Sequence, residues 1–387
     1  MSKLRSQRRM FGRFVLLLFA VMVACQLPPV LFVRAQTQTS WALWLPVLFV
    51  FNLMLCIRMW YVPRPEPPPV WFERYIIWGY FGIAVMGLYA APGVVIGWAW
   101  NVAPNWIWAW LGCSAVLGLY SIGIPWRRIA IRRLTIPIPD LPAAFDGVTI
   151  AHISDLHAGP MAPERRLRSW MRRVNALAPD YVFITGDIVA TGVAFIPTVE
   201  RAFALLKPSR GVYAVLGNHD YFGEAQPQIE AMYARIGCTL LRNSHCVVSA
   251  PSSQDTLVFA GVDDTWREMA DLSAALTDVP SGVPVILLSH DPRVFDEVVA
   301  REESSIRLQL SGHTHGGQLA IPFVGRASSV LSLFGVSWVS GLYQRSKSWL
   351  YVSAGLGTTG APVRIGIPSE IAVLRLQRSP HRAHPSP

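Results

Sequence analysis

Apolar and polar positions divide the chain into two unlike parts. In the first third, apolar residues run on without a helical or strand period. Residues 14–33, 41–60, 75–100 and 106–125 each approach the ~20 residues that carry a helix across a bilayer. Trp41, Trp60, Tyr61, Trp100, Trp106 and Trp126 gather at their ends, where amphipathic rings settle at a membrane interface. Stretches of this length in series, with almost no charge, predict a four-helix transmembrane region rather than buried core helices. The proline-rich stretch 63–69 predicts a stiff, extended connector between the second and third. Beyond residue 134 short β-branched runs alternate with segments of helical spacing. Strands are expected at 148–153, 181–185, 212–216, 257–262, 285–288, 306–310, 349–353 and 371–376. Helices are expected at 163–177, 197–206, 227–236 and near 293–301. The alternation predicts an α/β domain over 135–378, joined to the membrane region (1–134) by a link at 127–142. The last residues, 379–387, have almost no apolar content and are expected to be a disordered tail.

Charge follows the same division. A mean hydropathy of +0.35, with 52% apolar and 15% charged residues, is too high for an ordinary soluble protein. Lys and Arg number 13 against 2 acidic residues before Thr135, and 21 against 22 from there on. The basic excess behind a pI near 9.7 therefore belongs to the membrane half, where it sets topology and attracts anionic lipid. The second half is near neutral and has no electrostatic footprint for nucleic acid. Lys3, Arg5, Arg8, Arg9 and Arg13 precede the first stretch, Arg58, Arg64 and Arg74 flank the second loop, and Arg127, Arg128, Arg132 and Arg133 follow the fourth. The positive-inside bias then puts both ends in the cytoplasm of a bacterial-type inner membrane. Ser6-Gln7-Arg8-Arg9-Met10-Phe11-Gly12-Arg13 also resembles a twin-arginine export signal, which would put the second half outside. Three further spans favour a basic flank on an anchoring helix. Cys25, Cys56 and Cys113 read as small hydrophobes in the apolar stretches, and Cys238 and Cys246 as free thiols in a reducing compartment.

Candidate chemistry sits in short segments that mostly follow apolar runs: Asp155-Leu156-His157, Gly186-Asp187, Gly217-Asn218-His219-Asp220, Ser289-His290-Asp291 and Gly312-His313-Thr314-His315-Gly316-Gly317. Each alone is commonplace. Together they place oxygen and imidazole ligands at the carboxyl ends of strands, where the functional loops of α/β sheets gather. Carboxylate, amide and imidazole donors without cysteine suit Mn, Fe or Zn. Two such cations about 3.5–4 Å apart can share a hydroxide activated for attack on phosphorus.

These motifs, in this order, resemble the calcineurin-like metallophosphoesterase superfamily, in particular its bacterial membrane-associated phosphodiesterase-like branch, over roughly residues 147–376. The resemblance implies a four-layer α/β/β/α sandwich and two divalent metal ions. One would be held by Asp155, His157, Asp187 and His315, the second by Asp187, Asn218, His290 and His313, with Asp187 bridging. It implies a catalytic His219 that donates a proton to the leaving oxygen or clamps the phosphoryl group. Asp220 would orient that ring and hold it protonated. Two departures disfavour a protein phosphatase. The second motif continues Ile188-Val189-Ala190-Thr191 in place of x-x-Asp-Arg, losing an acidic partner at Ala190, and Asp220 stands where those enzymes carry Glu.

Gly355-Leu356-Gly357-Thr358-Thr359-Gly360 fits a dinucleotide fingerprint only in spelling, because Ala361-Pro362-Val363-Arg364 follows and no helix begins there. A glycine-rich turn near the site is expected, with Arg364 on a substrate phosphate or in a surface ion pair. Asp263-Asp264-Thr265-Trp266 is a candidate wall of the substrate cleft, and His152 and His245 read as structural. The function expected is a membrane-anchored, dinuclear-metal-dependent phosphoesterase acting on a phosphodiester or pyrophosphate of a small molecule or lipid, with membrane lipids as the other partner. Other readings are a transporter or channel with a regulatory domain, a phosphomonoesterase or protein phosphatase, and a dead scaffold. The spans lack the internal ionisable residues that transport paths carry, and a scaffold has no need of seven metal ligands.

Overall fold

A computed structural model describes residues 2–61, 68–124, 127–251, 253–301, 305–320, 329–333 and 335–379. Most of the proline-rich connector, Trp126, the side chains of the basic residues ahead of the first span and all but the start of the tail lie outside the described residues. The chain forms two compact units, one of residues 1–127 with 360–364, the other of 128–359 with 365–387.

The first unit contains α1 (Ser2–Thr37), α2 (Trp41–Tyr61), α3 (Trp78–Ala99), entered through a π-helical turn at Phe72–Ile77, and α4 (Pro104–Gly123). Within them Ala20–Thr37, Trp41–Arg58, Phe72–Ala99 and Pro104–Gly123 are long and apolar enough to cross a membrane. Helix α1 continues through Pro28 and Pro29. Small residues let the helices approach: a Cβ on Gly87 of α3 would lie 3.2 Å from the Cys25 carbonyl of α1. Inside the unit the polar groups find each other. Gln26 and Asn52 exchange amide hydrogen bonds between α1 and α2, Tyr89 and Ser121 share one between α3 and α4, and Arg58 pairs with Glu73 at 3.2 Å.

The second unit is built on two six-stranded sheets. The first runs in the order β1 (Ile129–Ile138), β12 (Ser369–Arg378), β2 (Thr149–Ile153), β3 (Tyr181–Thr185), β4 (Gly211–Val215) and β5 (Thr239–Leu240). The second runs β10 (Gly341–Arg345), β11 (Ser348–Val352), β9 (Ile306–Ser311), β8 (Val285–Leu288), β7 (Thr256–Gly261) and β6 (Ser244–Ser249). Strands β2 to β5 are mutually parallel, as are β7, β8, β9 and β11. Alternate residues of each strand serve opposite faces: Ile150 joins the core between the sheets, while Ala151 joins the core beneath helices.

Three buried clusters define the layers. Tyr181, Phe183, Phe259, Leu308 and Tyr351 fill the space between the sheets. Helices α5 (Glu164–Asn175), α6 (Ile196–Phe203) and α7 (Gln226–Arg235) cover the first sheet. The short α8 (Leu272–Leu276) and α9 (Val294–Ala300) cover the second. Helix α5 shows why: Leu167, Trp170, Met171 and Val174 recur at helical spacing and are buried, while Arg165, Arg172 and Arg173 are exposed. The result is the four-layer α/β/β/α arrangement.

Residues 127–142, expected as the link between the two parts, contain a strand that the pattern did not show, β1, paired in parallel with β12 from Ile129↔Ser369 to Ile138↔Arg378. Pro137 fits there because β1 is an edge strand, whose outward N–H groups need no partner. The boundary expected at residue 134 therefore falls inside a strand. β5, β6, β10 and α8 also escaped the pattern, being short or only half-buried.

Candidate metal centre

The ligand-bearing loops leave the carboxyl ends of adjacent strands. Asp155 and His157 follow β2, Asp187 follows β3 and Asn218 follows β4, while His290 follows β8 and His313 and His315 follow β9. The strand pairing carries on into the loops, with Asp155 N–H donating to the Gly186 carbonyl, His157 N–H to Asp187 and Gly312 N–H to His290. Across the gap between sheets, His290 Nδ1 donates to the Thr185 carbonyl at 2.7 Å, and the His313 backbone N–H is shared between both carboxylate oxygens of Asp155 at 3.1 Å.

Backbone conformation follows function here. Asp155, His157, Asp187, His313 and His315 have φ of 53°, 46°, 53°, 72° and 52°. Such left-handed residues cost about 1 kcal/mol or more each and concentrate where a site demands an exact side-chain direction. Asp and His are among the residues that tolerate this region best. Two glycines are equally constrained. A Cβ on Gly186, at φ +78°, would fall 2.4 Å from Gly217 N, and one on Gly312 would fall 1.9 Å from Ser154 Oγ and 2.3 Å from Asp155 Oδ2. The motif glycines are what let neighbouring ligand loops touch.

All seven expected ligands come together. His157 Nε2 lies 2.9 Å from His315 Nε2, and His315 Nε2 lies 3.3 Å from Asp155 Oδ1. His313 Nδ1 lies 3.0 Å from Asn218 Oδ1 and 3.2 Å from His290 Nε2. Asp187 Oδ2 stands between the groups, 3.6 Å from His157 and 3.2 Å from His290. Asp155, His157, Asp187, His290 and His315 are buried. Imidazole nitrogens and carboxylate oxygens converging at about 3 Å is the spacing expected of donors that share a cation at ~2.0–2.2 Å. Burial would drive His290 neutral, but Asp187 and Asp155 outweigh it and hold the ring protonated well above its ordinary range. Asp187 is held well below the usual carboxylate range, because His290, His219 and His157 overcome its burial. The donor set, all oxygen and imidazole without sulfur, fits hard or borderline divalent cations. The Thr185 carbonyl behind His290 is the kind of outer partner that fixes a ligand's tautomer.

His219 reaches the cluster by a different route from the one expected. Its backbone N–H donates to Asp187 Oδ1 at 2.8 Å. Its ring lies 4.5 Å, centroid to centroid, from that of His157. The ring is oriented by Nδ1 donating to the Ala190 carbonyl at 2.7 Å, not by Asp220. Asp220 is buried and accepts backbone N–H groups instead, from Asp187 and Gly217 at Oδ2 and from Ile188 at Oδ1, each at 2.9 Å. Its side chain therefore ties the second motif to the third, and the orienting role assigned to it is corrected. The side chain missing at Ala190 is replaced by that residue's own carbonyl, which any residue there would supply.

Other expectations divide. Gly355 and Gly357 pack on Asp155 and Leu156 in a turn with no helix after it. Arg364 is fully buried, so it is not in a surface ion pair. Trp266 donates its indole N–H to His313 Nε2 at 3.2 Å, which puts the loop after β7 against the centre. His152 and His245 are held away from the cluster by Thr185 Oγ1 and the Ala275 carbonyl. The contributions of Thr185 and Ala190 were missed, since both act through backbone carbonyls that carry no sequence signal.

Comparison with known proteins agrees with this geometry. The family model for calcineurin-like phosphoesterases matches residues 148–317. A zebrafish (Danio rerio) transmembrane protein with metallophosphoesterase domain is 31% identical over 276 residues, covering 69% of this chain and 61% of its own. An uncharacterized metallophosphoesterase of Aquifex aeolicus is 30% identical across 68% of this chain and 97% of its own, and one of Bacillus subtilis 30% identical across 61% and 82%. The chain thus spans about three fifths of the vertebrate relative and nearly all of the Aquifex one. It belongs to the calcineurin-like metallophosphoesterase family.

Proposed function

We propose that the protein is a membrane-anchored phosphoesterase that uses two divalent cations to hydrolyse a phosphodiester or pyrophosphate. The observation that carries this reading is the convergence of seven buried or half-buried oxygen and imidazole donors about Asp187, with His219 beside them. Asp155, His157, Asp187 and His315 would hold one cation, and Asp187, Asn218, His290 and His313 the other, with Mn, Fe or Zn the metals that suit these donors. When bound, the cations would polarise the phosphoryl oxygens and lower the pKa of water for in-line attack.

The chain's own residues do the rest. Thr185 fixes the His290 ring through Nδ1 and leaves Nε2 turned inward. Ala190 takes Nδ1 of His219 and leaves Nε2 free of any partner among the described residues. From that atom His219, when protonated, passes a proton to the leaving oxygen or grips the phosphoryl group. Four helices able to cross a membrane and the transmembrane relatives support an anchored, multi-pass enzyme. The arginine bias around the spans favours a cytoplasmic catalytic domain over 128–378, and an anchor at the bilayer favours a lipid-linked substrate.

The test is hydrolysis of bis-p-nitrophenyl phosphate and of the monoester by the detergent-solubilised full chain, with and without Mn²⁺. Metal-dependent turnover is expected. His219→Ala should retain two metals per chain by elemental analysis and lose about 10²–10⁴-fold in kcat. No metal-dependent hydrolysis of either ester overturns the enzyme reading, and loss of metal from His219→Ala overturns its assigned role.

A further inference from the structure

We propose that Arg267 binds a second phosphoryl group of the substrate, which makes the natural substrate a pyrophosphate-linked compound rather than a simple diester. The proposal rests on the phosphoesterase reading above and extends it to the wall of the same site.

The loop after β7 is pinned to three ligand-bearing segments. Asp263 accepts from the Tyr221 hydroxyl and, at 2.7 Å, from Arg242. Thr265 Oγ1 donates to Asp291 at 2.6 Å, and Trp266 reaches His313. These contacts fix where Arg267, the next residue, projects. Its Nη2 donates to the Tyr221 carbonyl at 3.2 Å, and its guanidinium lies 5.6 Å from the centroid of the Tyr221 ring. Tyr221 is two residues beyond His219 and Trp266 touches His313, so Arg267 and the carbonyl that holds it belong to the two segments that adjoin those histidines.

What distinguishes Arg267 is that its guanidinium has no counter-ion among the described residues. Its neighbours are neutralised, Arg242 by Asp263 and Glu230 and Arg293 by Asp291. Asp264 lies one turn away, but its Oδ2 takes the backbone N–H of Arg267, not the guanidinium. Among the described residues Arg267 therefore contacts only a carbonyl and an aromatic face, and it is exposed. Those two contacts hold the planar fork in place and leave donors free, which is the arrangement that recognises a phosphate. The reacting phosphoryl group already has two cations and His219 to meet it. A positive charge without a carboxylate partner on the segments that adjoin them is matched by the next phosphoryl group along the chain of a pyrophosphate.

The experiment compares two substrates in one enzyme, the metal-loaded full chain in detergent: bis-p-nitrophenyl phosphate, with one phosphorus, and a dialkyl pyrophosphate diester, with two. Arg267→Ala is expected to lower the ratio of kcat/KM for the pyrophosphate over the diester about tenfold, and Arg267→Lys to recover part of it. The ratio is indifferent to the fraction of folded enzyme. An unchanged ratio overturns the proposal. Should no form hydrolyse either substrate, the catalytic reading fails separately, and calorimetric binding of methylenediphosphonate against methylphosphonate decides the subsite. Preference for the two-phosphorus ligand that is lost in Arg267→Ala supports it; absence of that preference, or its persistence in the variant, overturns it.

Discussion

At the scale of single residues, the centre depends on atoms that a motif does not spell. Asp220 was legible as part of Gly-Asn-His-Asp, yet its carboxylate serves backbone N–H groups of Gly217, Asp187 and Ile188. Asp220→Asn turns an amide NH₂ toward one side of that cradle and leaves buried donors facing a donor, at about 1–3 kcal/mol for each group left unpaired. The expected outcome is metal content below two per chain by elemental analysis, with turnover partly restored by excess Mn²⁺. A role confined to the His219 ring would leave the metal content intact. The candidate ligands were readable because Asp, Asn and His at strand ends are a chemical statement in any fold. Ala190 was not readable as a partner, because its carbonyl is common to every residue and only the turn that aims it at His219 gives it a function.

At the scale of elements, the strands that bear ligands were the easiest to see. β2, β3, β8 and β9 are buried on both faces, and all but β2, which has antiparallel β12 on one side, lie between parallel neighbours, so they read as continuous apolar runs. β1 was not visible, since its pattern of Ile, Arg and Pro makes sense only beside β12, more than 200 residues away in sequence. Ile136 and Ile138 of β1 are nevertheless fully buried in the core between the sheets. A chain shortened to begin at Thr135 loses half of this strand and exposes the edge of β12, an unpaired ladder prone to association. Begun at Arg128, the domain should be monodisperse in gel filtration; begun at Thr135, it should aggregate or melt at lower temperature. Equal behaviour of the two would show that β1 contributes nothing to the domain.

At the scale of the whole molecule, four helices able to cross a membrane precede in sequence the domain that carries the candidate metal ligands. The cytoplasmic topology proposed from the arginine distribution makes a prediction: green fluorescent protein fused after Pro387 should fluoresce, and alkaline phosphatase fused there should be inactive. The reverse pair of results would put the enzyme on the far side and favour the twin-arginine reading of the amino terminus. The sequence by itself determined what is local in cause. Apolar length sets the crossing helices, alternating periodicity sets the α/β class, and ligand chemistry at strand ends marks the metal site. Only the tertiary structure decided which backbone carbonyls orient His219 and His290, that the link between the two parts contains a strand, and that Arg267 meets the Tyr221 carbonyl and no carboxylate among the described residues. Each of these depends on residues distant in sequence being brought within hydrogen-bonding reach, and a contact of that kind leaves no period, spacing or composition in the chain that makes it.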